Sequence, residues 1–133
     1  MSTPKQITLG DITVNIGQAL AKDQKKLYYL VYPYADRLYK EVDDIPEITV
    51  KELSNVLGFV GSDMMEKIET LALSRTFING TDTKVSEADF KNDIDAYHTL
   101  ICHAIEVNLA SFFTRLGAER EERLATRKKK TVQ

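Results

Sequence analysis

FKNDIDAYHTLICHAIEVNLASFFTRL, residues 90–116, decides the fold. Its apolar side chains Phe90, Ile94, Tyr97, Ile101, Ala104, Ile105, Leu109, Phe112, Phe113 and Leu116 keep the spacing that gathers side chains on one face of an α-helix. Just upstream, Ser86-Glu87-Ala88-Asp89 has the form of a capping box, in which a serine and an acidic residue satisfy the first free amides of a helix. Downstream, Gly117 offers a left-handed stop. The pattern predicts one long central helix between these signals, with the rest of the chain packed around it.

Working back from that helix, Asn79-Gly80-Thr81-Asp82 reads as a turn. Before it, Ser62 reads as the cap of a helix that carries Met64, Met65, Ile68, Leu71 and Ala72 and stops near Phe77. A short helix over 50–57 is announced by Thr49-Val50-Lys51-Glu52 and punctuated by Gly58 and Gly61, with residues 43–47 as a linker. From Gln18 to about Val42 the pattern is again helical, with Leu27, Val31, Tyr34 and Leu38 on one face and a second stripe of Tyr28, Tyr32 and Tyr39. Pro33 removes an amide donor and crowds the preceding turn, which predicts a kink or a break there. At the start, Ile7-Thr8-Leu9, Gly10-Asp11 and Ile12-Thr13-Val14-Asn15-Ile16 predict a β-hairpin over 6–16 with a tight glycine-first turn.

The fold class expected is therefore mostly α: a helical domain with an N-terminal β-hairpin and a long C-terminal helix. Residues 1–117 form the domain, and 118–133, charged apart from Leu124 and a few small residues, form a flexible tail. A chain of 133 residues with 43% apolar and 29% charged side chains suits one core and one domain.

Composition also narrows the chemistry. The net charge is −2, but Arg127, Lys128, Lys129 and Lys130 leave 14 basic against 20 acidic side chains in residues 1–126, net −6. A mildly acidic body thus carries a basic tail, and nothing attracts it generally to nucleic acid or anionic membrane. Cys102 is the only cysteine, so no intrachain disulfide forms, and a lone thiol points to a reducing compartment, the cytosol by default. The first residues lack an apolar leader core, and the most apolar stretch, 96–113, is interrupted by His98, His103, Glu106 and Asn108, which argues against secretion and membrane spanning.

No set of residues announces catalysis. His98, Cys102 and Glu106 follow one another at four-residue steps, but neither CxxC nor HExxH adds ligands from a second element, so a buried thiol between two polar residues is the preferred reading over a metal site. A Cys–His nucleophile would have only His98 or His103, both on the cysteine's own helix, and no orienting third group. The acidic residues Asp82, Glu87, Asp89, Asp93 and Asp95 suit the start of a helix, where they complement exposed amides. The glycines match no phosphate-binding loop. The expectation is no enzyme, no cofactor and no metal.

Tyrosine is enriched at protein interfaces because it joins a large apolar area to a polar tip. Tyr28, Tyr32 and Tyr39 on the helix, with Ile12 and Val14 on the hairpin, are accordingly the expected partner-binding residues, and burial of the tyrosines in the chain's own core stays open beside it. The hairpin opening Ile7-Thr8-Leu9-Gly10-Asp11-Ile12-Thr13-Val14, together with Glu106-Val107-Asn108-Leu109-Ala110-Ser111-Phe112-Phe113 late in the chain, resembles the tail assembly chaperones of long-tailed bacteriophages. The resemblance touches both ends of residues 7–113. It implies a small helical protein, without an active site, that coats the helical tape-measure protein and recruits tail-tube subunits in the host cytoplasm. It also implies a longer frameshifted product, for which the Lys128-Lys129-Lys130 codons would be the slippery run. Self-association is a further contact to expect. The alternative is a small nucleic-acid-associated or regulatory protein that uses its basic tail on phosphates.

Overall fold

The computed structural model describes residues 4–41, 50–57 and 60–131, and their side chains except at 36–41, 50, 56, 120 and 127–131. Strands β1 (Lys5–Leu9) and β2 (Ile12–Ile16) form the expected antiparallel hairpin, pairing Ile7 with Val14 and Leu9 with Ile12. Gly10 turns the corner at φ +62° while Asp11 stays at negative φ, as a II′ turn requires. Helices α1 (Ala21–Glu41), α2 (Val50–Leu57) and α3 (Ser62–Ala72) follow. A third strand, β3 (Thr76–Ile78), and a 3₁₀ turn (Glu87–Phe90) lead into the long helix α4 (Ile94–Thr131). The molecule is mostly helical, with a small N-terminal sheet and a long C-terminal helix.

β3 corrects the expectation that the third helix runs to Phe77. It lies antiparallel to β2, which becomes the centre of a three-stranded sheet ordered β1-β2-β3. A bare hairpin is marginal in water, and pairing Val14 with Ile78 and Ile16 with Thr76 supplies the missing neighbour. The chain reaches that position because Gly17 lies against the end of α3, its amide donating to the Arg75 carbonyl at 3.0 Å. A Cβ on Gly17 would lie 2.9 Å from that oxygen, so the approach needs glycine.

Four further expectations shift. The 86–89 capping box is real, with the Ser86 amide donating to Asp89 at 2.8 Å, but it caps only the 3₁₀ turn. Lys91 at φ +52° ends that turn, and α4 starts afresh at Ile94, where Asp93 accepts from the Ala96 amide at 3.1 Å. Ser62 is the first residue of α3 rather than its cap, which is Gly61 without a side-chain bond. Gly117 does not stop the long helix: it is buried within α4, and the alanine, glutamate, arginine and leucine after it favour continued helix. Pro33 does not break α1 either. The carbonyl it deprives of a partner is that of Tyr29, and both residues lie on the exposed side, where water can serve that oxygen. Thr49 of the other capping-box spacing lies outside the described residues.

The core gathers Val14 and Ile16 of β2, Leu27 and Val31 of α1, Leu53 of α2, Ile68 of α3 and Leu100, Ile105, Leu109 and Phe113 of α4. Its polar knot is Asn108, only 3% exposed. Its side chain accepts from the Ala19 amide at 2.7 Å and donates to the carbonyls of Ala104 and Ala72 at 2.8 and 3.3 Å. One amide thus joins the chain entering α1, the end of α3 and α4, and satisfies groups that would be costly to bury unpaired. Among the described residues no helix is long and apolar enough to cross a membrane.

Candidate functional site

The helical period of α1 puts Leu27, Val31 and Ala35 inward against the core. Tyr28 and Tyr32 flank that stripe and are half-buried. The Tyr28 ring stacks on Phe112 of α4 with centroids 4.4 Å apart, and its hydroxyl accepts from the Arg115 guanidinium at 3.0 Å. The same guanidinium lies 5.3 Å from the Phe112 ring centre, and Tyr28 and Tyr32 touch at 5.4 Å. Tyr28, one of the expected partner residues, therefore clamps α1 onto α4, and Tyr32 packs beside it against the core. Val14 is fully buried at the centre of the sheet, which corrects its assignment to a partner surface; Ile12 is half-buried against the core beside the turn. The side chain of Tyr39 lies outside the described ones.

The open surface lies one residue round the helix. Tyr29 is 64% exposed, and with Lys26 and Leu30 it forms one wall of a groove whose other wall is Asp63, Glu66, Lys67, Thr70 and Leu71 of α3. The groove measures about 900 Å³. Sequence contained one signal for it: Tyr28 and Tyr29 are adjacent, and neighbours on a helix cannot share a face.

Past Leu71 the groove passes into an acidic cleft of about 590 Å³, lined by Asp23, Glu66, Glu69, Lys84, Glu87 and Tyr97 among others. Glu66, Thr70 and Leu71 belong to both hollows. Burial, then the charges of Glu87 and Glu66, hold the Glu69 carboxyl above its usual range. Burial, then the charges of Glu69 and Glu87 and a hydrogen bond to Glu69, push the Tyr97 phenol up to about 12.

The His98–Cys102–Glu106 row does not converge. His98 Nε2 approaches the Ser54 carbonyl at 3.3 Å and the Cys102 sulfur at 3.9 Å. Cys102 is fully buried, and desolvation pushes its thiol up to about 12, so it stays protonated and unreactive near neutrality. Glu106 turns instead to Lys5 of β1 at 3.3 Å, and the Lys5 ammonium donates to His103 Nδ1 at 3.3 Å, fastening the sheet to α4. Among the described residues no three metal-binding side chains come together. Comparison of this chain with known protein families, curated proteins and solved structures gives no match.

Proposed function

We propose that the chain is a non-enzymatic tail assembly chaperone, a protein-interaction module that binds the tape-measure and tail-tube proteins of a long-tailed bacteriophage in the host cytoplasm. The observation that carries the binding role is the open α1–α3 groove, with Tyr29 exposed on one wall and Leu71 on the other. α3 spans 11 residues, about 16 Å at about 1.5 Å per residue, which matches about three turns of a bound helix. An amphipathic helix places anchors at i, i+3, i+4 and i+7, the usual way to fill a groove between two helices. A small interface of this kind suits a chaperone that must release its client. The phage assignment comes from the resemblance of the hairpin and of 106–113.

The test is fluorescence anisotropy with labelled helical peptides covering a tape-measure protein and a tail-tube protein. Wild type should bind a subset, and Tyr29→Ser should weaken binding at least about tenfold, about 1.4 kcal/mol, with an unchanged melting temperature. If no peptide binds, or if Tyr29→Ser binds like wild type, the groove is not the client site.

A further inference from the structure

The groove and the acidic cleft form one trough along α3, apolar at Tyr29, Leu30 and Leu71 and acidic at Asp23, Glu66, Glu69 and Glu87. Lys84 is the cation lining the acidic part, and none of those four carboxylates forms an ion pair with a described residue. Glu69 lies among the carboxylates of Glu66 and Glu87, where burial first and then their repulsion oppose its ionisation, and an arriving cation would relieve the repulsion. The densest positive run of the sequence is Arg127–Lys130, three residues beyond the apolar Leu124. The run complements the acidic part in charge, and Leu124 offers an apolar contact to Tyr29, Leu30 and Leu71.

The run cannot reach its own trough. α4 carries it at one end and supplies Tyr97 to the cleft near the other, and the intervening 30 residues of helix span about 45 Å at about 1.5 Å per residue. We propose that the basic end of α4 from a second copy docks in the trough, with Leu124 on the apolar part and Arg127–Lys130 beside Glu66, Glu69 and Glu87. Each pairing leaves a free trough at one end and a free tail at the other. Such head-to-tail contacts add further copies as concentration rises. The inference rests on the trough being the protein-binding surface argued above, and it names one occupant, which competes with client helices.

Sedimentation of the full chain across a concentration series tests it. At about 0.01 M salt, where charges act over about 30 Å, the average mass should climb with concentration; at about 1 M, where they act over about 3 Å, it should fall to that of a monomer. Full-length Glu66→Lys/Glu87→Lys and full-length Lys128→Glu/Lys129→Glu/Lys130→Glu should each stay monomeric. A mixture of the two should associate again, because each then offers the other an opposite charge. Glu66 and Glu87 are exposed, and melting curves like wild type would show both variants folded. A wild type that is monomeric at low salt, an association that salt does not weaken, or a mixture that fails to associate overturns tail docking. Peptide binding by the tail-reversed variant reports the trough alone: if it binds client peptides while wild type does not self-associate, tail docking fails and the client site stands. If wild type self-associates as described but no peptide binds, the reverse holds.

Discussion

Residues 94–117 and 118–131 lie on one uninterrupted helix, yet they do different work. The first part places Leu100, Ile105, Leu109 and Phe113 in the core and binds the sheet through His103 and Glu106. Beyond Gly117, Leu124 is half-covered and Ala118, Glu119, Glu121, Glu122, Arg123, Ala125 and Thr126 are exposed. Helicity is therefore a poor guide to where the domain ends. Tertiary burial holds the first part, whereas the second rests on the intrinsic preference of its residues and on side-chain pairs along its own surface. The pair that straddles the junction, Arg115 with Glu119 at 3.9 Å, is exposed at both ends and adds little.

The contrast breaks most visibly in the first part. Ile105 is fully buried, and Ile105→Ala should cost about 2–5 kcal/mol through lost transfer energy and the cavity left behind. Denaturant titration reads this directly. A loss below about 1 kcal/mol would mean that α4 is not the centre of the core.

A smaller effect separates the two parts by pH. Burial, then the neighbouring Lys5 charge, hold His103 below its ordinary value of 6.5. The unfolded chain then takes up a proton before the folded one, so this group's contribution is intact above about pH 6.5 and is lost as pH falls from there towards the folded value. Glu69, held above its usual range, acts in the opposite sense at lower pH, so the comparison must be with His103→Gln rather than with pH alone. The variant should lose less stability than wild type between about pH 6.5 and 5.5. Equal slopes would show that His103 is neither buried nor held beside Lys5 in solution.

How far the sequence could be read follows the same division between local and distant causes. The hairpin, the 50–57 helix and the inward stripe of α4 were legible because their signals, alternation, turn chemistry and helical period, are contained in the segments themselves. β3 was not, because Thr76–Ile78 is too short to carry a pattern and is a strand only by pairing with β2, some sixty residues earlier. The Ser86 box is visible in the sequence, but a cap satisfies the amides beside it and says nothing about how long the following helix runs. The site was legible only in kind. The run of tyrosines on α1 is visible in the sequence, but which of Tyr28 and Tyr29 faces outward depends on where α4 crosses, and Phe112 and Arg115 decide it from more than eighty residues away.

The smallest effect belongs to the second part. Removing residues 118–133 takes away exposed side chains, one half-covered leucine and a stretch of helix whose backbone bonds lie within itself. It also moves the helix end to Gly117, leaving the last carbonyls of α4 near solvent, where water can satisfy them. The negative end of the helix dipole then lies closer to Arg115, a small favourable change against the loss of the Arg115–Glu119 pair. These terms oppose one another and each is a few tenths of a kcal/mol, so the truncated chain should melt within about 0.5 kcal/mol of the full one. Calorimetry of the two proteins checks this. Unfolding of the truncated chain would show that the overhang supports the body, and α4 would then be one structural unit to its end. An unchanged melt together with loss of self-association would instead assign 118–131 entirely to contacts between copies, and the boundary between fold and function would fall at Gly117, inside a continuous helix.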